Sequence, residues 1–67
     1  MIKITLNGEE TEINSDLSVQ NLIENLGIDV KKVAIERNLE IVSRSEYESV
    51  LLENGDKLEI VHFIGGG

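Results

Sequence analysis

The chain has 67 residues, 40% of them apolar, and its only aromatic residues are Tyr47 and Phe63. A chain this short forms one small domain, here with an aliphatic core, and leaves no room for a deep catalytic cleft. The net charge of −7 disfavours nucleic acid and anionic lipid as ligands and favours basic protein partners.

The sequence has no Cys and one His, His62, so it offers neither a disulfide nor a thiolate or His-rich metal site. We therefore expect no bound metal and no bound cofactor, and we interpret His62 as an ordinary strand residue. Polar residues soon follow Met1, and no segment approaches the roughly 20 apolar residues of a membrane span. The expected location is the cytoplasm.

The first predicted element is a β-hairpin. Ile2, Ile4 and Leu6 alternate with polar residues, which is the pattern of a strand with one buried face. Asn7-Gly8 is a strong hairpin turn signal. A second strand is therefore expected at residues 9–13.

A single amphipathic helix is predicted next. Ser18 is a favourable N-cap, and Leu17 just before it is placed to contact Leu22 as a hydrophobic staple. Gly27 is expected to end the helix, because glycine readily adopts the left-handed conformation found there. The apolar positions that recur with helical spacing are Val19, Leu22, Ile23 and Leu26.

The second half of the sequence predicts short strands joined by turns. The apolar run 33–35 and the segment 39–42 are expected to pair across a turn at Asn38, which tolerates a positive φ. Ser45 followed by Glu48 has the spacing of a capping box and predicts a turn of helix. The last elements are expected to be a strand at 50–52, a turn at 54–56 and a strand at 58–64.

This order of elements predicts an α+β fold, the ubiquitin-like β-grasp, in which a mixed β-sheet packs on one main helix. On the last strand, Leu58 and Ile60 are expected to face the helix, whereas Val61 and Phe63 lie on the opposite, exposed face. The predicted domain spans residues 1–64, and residues 65–67 form a flexible C-terminal glycine tail.

The tail Gly65-Gly66-Gly67 has no side chains and contributes nothing to a core. We expect it to extend the terminal carboxylate away from the domain. Three extended residues carry a carboxylate about 10 Å, and no Cβ blocks a narrow channel. A partner enzyme could join that carboxylate to AMP and expose it to a sulfur nucleophile. The alternative interpretation is a frayed terminus or an added linker.

Several segments of the sequence occur together in a characteristic order and spacing. They are Ile4-Thr5-Leu6-Asn7-Gly8-Glu9, Asn21-Leu22-Ile23-Glu24-Asn25-Leu26-Gly27, Arg44-Ser45-Glu46-Tyr47, Asn54-Gly55-Asp56, Glu59-Ile60-Val61 and the final Gly-Gly. Through these segments the chain resembles the ThiS family of sulfur carriers over essentially its whole length. One departure is Arg37-Asn38-Leu39-Glu40, where many relatives have Asn-Gly-Glu.

The resemblance implies a role in thiamine thiazole biosynthesis as a carrier rather than an enzyme. It implies that Gly67 is adenylated by a ThiF-type enzyme that uses ATP, and that sulfur from a cysteine desulfurase converts it to a thiocarboxylate. A ThiG-type thiazole synthase would then use that sulfur. Gly65, Gly66 and Gly67 would enter the partner's active site, and Val61 and Phe63 are candidate docking contacts.

Three alternatives remain open at this stage. A MoaD-type carrier for molybdopterin synthesis also ends in Gly-Gly, although Phe63-Ile64 here stands where that family has a Pro-containing segment. A carrier that tags proteins and a non-catalytic interaction module are the other two. An acyl-carrier protein is disfavoured, because Asp16-Leu17-Ser18 has the wrong order for its Asp-Ser-Leu site.

Overall fold

The computed structural model describes residues 1–62; Phe63, Ile64 and the three final glycines lie outside the described residues. Its strands are β1 (Ile2–Leu6), β2 (Glu9–Ile13), β3 (Val33–Arg37), β4 (Glu40–Ile41) and β5 (Lys57–His62). One α-helix, α1 (Val19–Asn25), follows the first hairpin, and two short 3₁₀ helices span Val30–Lys32 and Arg44–Glu46.

The five strands form one mixed sheet in the order β2-β1-β5-β3-β4. The pair β1–β5 is parallel, with Thr5 opposite Lys57, and the other three pairs are antiparallel. The hairpin β1–β2 brings Ile2 opposite Ile13, as the Asn7-Gly8 turn predicts. This mixed sheet with one main helix confirms the predicted ubiquitin-like β-grasp.

Helix α1 begins where the sequence predicts. Ser18 Oγ accepts a hydrogen bond from the Asn21 N–H at 3.0 Å, and the Asn21 side chain accepts one from the Ser18 N–H at 3.2 Å. The two residues thus form a reciprocal capping box with Asn in place of the usual Glu. Gly27 has a φ of +75° just past the helix end, as expected.

The core lies between the sheet and α1 and is aliphatic apart from Tyr47. Leu58 and Ile60 are buried on the helix side of β5, which confirms the predicted orientation of that strand. Leu26, predicted on the apolar stripe of the helix, is instead half-exposed, because the helix ends at Asn25 and Leu26 is its C-cap. The buried apolar residues are Ile4, Ile13, Val19, Leu22, Ile23, Val33, Ile35, Val42, Tyr47, Leu52, Leu58 and Ile60.

The segment between β4 and β5 differs from its prediction. Residues 50–52 do not form a strand of the sheet; their backbone bonds to the start of α1 instead, through Val19 N–H to Val50 O at 3.0 Å and Leu52 N–H to Leu17 O at 2.9 Å. The predicted turn of helix begins after Ser43, two residues before Ser45, and is a 3₁₀ helix without a side-chain cap. A short apolar run or a capping-box spacing is only a local signal, and hydrogen bonds to other segments of the chain decide the structure here.

Two negative findings apply to residues 1–62. No helix there has the length and apolar character needed to cross a membrane. No group of three or more His, Asp or Glu side chains in that range is arranged to hold a metal ion.

Candidate functional site

Strand β5, which precedes the glycine tail in the sequence, is the central strand of the sheet. Strand β5 lies between β1 and β3, and its last described residue, His62, is opposite Val33. Within residues 1–62, strand β1 pairs only with Lys57 and Leu58 at the start of β5, whereas Val61 and His62 at its described end pair with β3. The predicted site residues Phe63, Gly65, Gly66 and Gly67 lie outside the described residues, and their roles stay predictions.

Val61 is the predicted docking residue that the structure describes. It lies on the outer face of the sheet, turned away from α1, and is 54% exposed. Its cross-strand partner on the same face is Ala34. Val61 is therefore exposed within residues 1–62, as strand alternation predicts, while its docking role stays a prediction. His62, which follows Val61, is exposed on the other side of the strand.

A second exposed apolar group lies at the β3–β4 turn. Asn38 and Leu39 form a two-residue loop between the paired residues Arg37 and Glu40, with φ values of +52° and +71°. Two positive φ values are characteristic of a type I′ turn, which favours Asn-Gly. Leu39 adopts this conformation at a cost of about 1 kcal/mol relative to glycine, and its side chain is 90% exposed.

The same turn is fastened to the start of β5 by hydrogen bonds. The Asn38 N–H donates to Lys57 O at 2.8 Å, and the Lys57 N–H donates to Asn38 Oδ1 at 2.9 Å. The Asn38 side-chain amide also donates to Asp56 Oδ1 at 3.1 Å. These bonds, made by both the backbone and the side chain of Asn38, hold the turn in place and so fix the position of Leu39.

Asp56 is a buried carboxylate at the centre of this arrangement. Its Oδ2 accepts hydrogen bonds from Arg37 Nε at 2.9 Å and from the Glu53 N–H at 2.8 Å. The sequence predicted only a turn at this position. Its partners lie up to 19 residues away, so no local pattern could have identified its role.

Asp56 should make stability depend on pH in the acid range. Burial raises the pKa of this carboxyl, but the hydrogen bonds from Glu53, Asn38 and Arg37, with the Arg37 charge, outweigh burial and place the pKa below its ordinary value of 3.8. The folded state therefore binds the proton less tightly than the unfolded state. The stabilisation is complete at neutral pH and is lost as the pH falls from 3.8 through the lower folded-state pKa.

The measurement is urea unfolding of the wild type and of Asp56→Asn from neutral pH down to about pH 3. The difference between their free energies of unfolding should shrink with acidification. The other carboxylates are present in both proteins, so their contributions cancel in this difference. A difference that stays constant across this range would contradict the assignment.

An outer apolar patch, defined here as Ala34, Leu39, Ile41 and Val61, lies on the β3–β4–β5 half of the outer face. Ile41 is 70% exposed and is opposite Glu36, while Glu36 is opposite Glu59 on its other side. The patch therefore surrounds a pair of carboxylates. Beside it is a depression of about 230 Å³ lined by Thr5, Gly8, Glu36, Leu39, Lys57, Leu58 and Glu59.

The protein resembles known sulfur-carrier proteins in sequence and in fold. A sulfur carrier protein ThiS from Bacillus subtilis is 38% identical over 65 residues, covering 96% of this chain and 98% of that protein. The crystal structure of a thiamine biosynthesis protein (ThiS) from Geobacter metallireducens superposes with a TM-score of 0.85 at 28% identity, covering 98% of this chain and 100% of that one.

The chain is also similar to part of two larger proteins. A thiazole synthase from Paramagnetospirillum magneticum is 53% identical over 66 residues, and one from Magnetococcus marinus is 46% identical over the same length. These matches cover 98% of this chain, which spans only 20% of the length of each synthase. The ThiS family model itself matches residues 4–67. The chain therefore belongs to the ThiS family.

Proposed function

We propose that this chain is a sulfur carrier of thiamine thiazole biosynthesis, and that the carboxylate of Gly67 is the group that carries the sulfur. The observation that bears most weight is the family match, which runs from residue 4 to Gly67 and so includes the glycine tail. The similarity to the carrier from Bacillus subtilis, over nearly the full length of both proteins, supports the same role.

The proposed chemistry begins with activation of a poor electrophile. The Gly67 carboxylate attacks the α-phosphorus of ATP in a ThiF-type adenylyltransferase, and pyrophosphate leaves. The outer sulfur of a persulfide formed by a cysteine desulfurase then attacks the carbonyl carbon of the acyl adenylate, and AMP leaves. The product is an acyl disulfide, and a thiol that reduces its S–S bond releases the thiocarboxylate. Positioning and charge stabilisation in these steps belong to the partner enzymes, because the carrier contributes only the carboxylate.

The proposed acceptor of the sulfur is a thiazole synthase. In the two synthases described above, a segment similar to this whole chain belongs to the same protein as the rest of the synthase. Such covalent linkage brings carrier and synthase together in those organisms, which supports the same pairing here. We place the reaction in the cytoplasm, where ATP is available.

The domain serves to present the tail. Gly67 is five residues beyond His62, and five extended residues span at most about 18 Å, enough to enter a partner's active site. Val61, at the base of this segment, is the proposed docking contact together with Phe63. Aromatic and apolar anchors are typical of such contacts.

The test is incubation with ATP and the ThiF-type enzyme encoded in the same genome. We expect ATP–pyrophosphate exchange that depends on the carrier, and an AMP adduct at Gly67 in intact mass spectra. Exchange only with an enzyme of molybdopterin synthesis would assign the chain to the MoaD-type alternative. Adducts on lysines of other proteins would assign it to protein tagging.

A further inference from the structure

Asn7 makes two side-chain hydrogen bonds to β5 that its place in the hairpin turn does not explain. The Ile60 N–H donates to Asn7 Oδ1 at 2.7 Å, and Asn7 Nδ2 donates to Ile60 O at 3.4 Å. The turn itself requires only a residue that tolerates a positive φ, and glycine serves there as well as asparagine. The side chain of Asn7 therefore has a role besides shaping the turn.

The Asn7 carboxamide takes the place of the next peptide group of β1. In the parallel pair β1–β5, the Thr5 N–H donates to Asp56 O at 2.8 Å. Two residues later, the Asn7 N–H donates to Leu58 O at 2.9 Å. Regular continuation of this ladder would bring a β1 carbonyl to the Ile60 N–H. The backbone turns away at Asn7, where φ is +48°, and the side-chain carbonyl accepts that hydrogen bond instead.

These bonds hold the part of β5 that leads to the glycine tail. Within residues 1–62, the backbone of β1 pairs with β5 no further than Leu58, and the Asn7 side chain extends the attachment on that side to Ile60. The Ile60 side chain is buried in the core, so this residue is held by its side chain and by its backbone. A strand end that lacked the Asn7 bonds would open more readily.

A second Asn-Gly turn uses the same kind of bond at the opposite end of β5. The Lys3 N–H donates to Asn54 Oδ1 at 2.9 Å, and the Gly55 N–H donates to Lys3 O at 2.8 Å. This turn precedes Lys57, where β5 begins, whereas Asn7 bonds near the end of the strand. The two turns therefore offer a matched comparison, because only Asn7 acts beside the segment that carries the tail.

We propose that Asn7 is a positioning residue for the carrier reaction: its carboxamide fixes the direction in which the chain leaves β5 and so directs the Gly67 carboxylate into the partner's active site. The inference rests on the proposed function, in which that carboxylate is the reacting group. Orientation of the reacting groups supplies a large part of the rate of enzymatic reactions. Asn7 acts through the backbone of Ile60 and not by contact with the reacting atoms.

The first test is amide hydrogen exchange in the carrier alone. Asn7→Gly keeps a residue that suits the turn and removes both bonds to Ile60, so the Ile60 N–H should exchange about tenfold faster relative to the other amides of β5. Asn7→Asp keeps an acceptor for the shorter bond and should stay closer to the wild type. Unchanged exchange of the Ile60 N–H in Asn7→Gly would overturn the proposal.

The second test is the rate at which the ThiF-type enzyme forms the AMP adduct, in a single turnover with the enzyme in saturating excess. Asn7→Gly should lower this rate about fivefold, and Asn7→Asp should recover most of it. A purely structural loss would lower the midpoint of urea unfolding and the amount of reactive carrier, but not the rate at which folded, bound carrier reacts. A wild-type rate in Asn7→Gly, or no recovery in Asn7→Asp, would contradict the positioning role.

Asn54→Gly is the matched control. It makes the same substitution in the other Asn-Gly turn and removes the acceptor of the Lys3 N–H. Exchange of the Lys3 N–H should become faster, while the rate of adduct formation should change by less than about twofold. Equal slowing of adduct formation by Asn7→Gly and Asn54→Gly would show a general effect on the sheet and would refute the specific role of Asn7.

The wild-type protein distinguishes failure of this inference from failure of the proposed function. If the wild type forms the adduct and Asn7→Gly forms it equally fast, Asn7 does not position the tail and the carrier function stands. If the wild type forms no adduct with the activating enzyme, the proposed function fails, and the positioning role fails with it.

Discussion

Removal of Gly66 and Gly67 should abolish sulfur transfer completely while the domain stays folded. These residues carry the reacting carboxylate in the proposed mechanism, and the core residues described above lie within residues 4–60. The free energy of unfolding should therefore change by less than about 0.5 kcal/mol. The readouts are thiazole formation in a reconstituted system and urea unfolding of the same preparation.

The truncated protein also provides its own control. Because its docking surface is intact, it should compete with the full-length carrier and inhibit thiazole formation in proportion to its concentration. Retained activity after truncation would favour a non-catalytic interaction module. Loss of activity together with unfolding would show that the glycines act on the fold.

Asp56→Ala should be the most destabilising single change outside the apolar core, by about 3 kcal/mol at neutral pH. Asp56 is only 5% exposed, and its removal leaves the Arg37 guanidinium, the Asn38 amide and the Glu53 N–H without their acceptor. A domain of this size has a total stability of only several kcal/mol. Much of the population should therefore unfold at modest urea concentrations.

Glu53→Ala is the matched control for that experiment. Glu53 also faces Arg37, but at 4.0 Å and with its side chain largely exposed. Such surface ion pairs contribute less than about 1 kcal/mol. Equal losses for Glu53→Ala and Asp56→Ala would contradict the role assigned to the buried carboxylate.

The elements that the sequence predicted correctly are those specified by neighbouring residues. The hairpin depends on Asn7-Gly8 between two short strands, and α1 depends on Ser18 and on apolar residues at helical spacing. The final strand β5 was predicted from alternation alone, and the burial of Leu58 and Ile60 confirms it. Each of these elements has a sequence signal that spans few residues, although β5 itself pairs with the distant strands β1 and β3.

The elements that were predicted wrongly, or not at all, depend on distant residues. Residues 50–52 look like a strand, yet their backbone partners are Leu17 and Val19 at the start of the helix. Asp56 looks like a turn residue, yet it bonds to Arg37 and Asn38. The exposed Leu39 and the opposed pair Glu36 and Glu59 became apparent only when the register of β3 and β5 was known.

The candidate site likewise has a part that the sequence predicts and a part that it does not. The glycine tail was predicted from composition, because three consecutive glycines have no role in a core. The surface that would guide the tail could be predicted only for Val61 and Phe63, from strand alternation. Leu39, in the turn after Arg37, and Ile41, in the short strand β4, extend that surface. The sequence does not specify which face of the sheet the side chains of so short a strand lie on.

Intact mass spectrometry of the protein purified from its own cells tests the central claim most directly. We expect a species whose mass exceeds the unmodified chain by the difference between sulfur and oxygen, with fragment ions that place the change on Gly67. Incubation with the matched activating enzyme, ATP, a cysteine desulfurase, cysteine and a thiol reductant should increase that species. Its absence both in cells and after this incubation would contradict the assignment of the chain as a sulfur carrier.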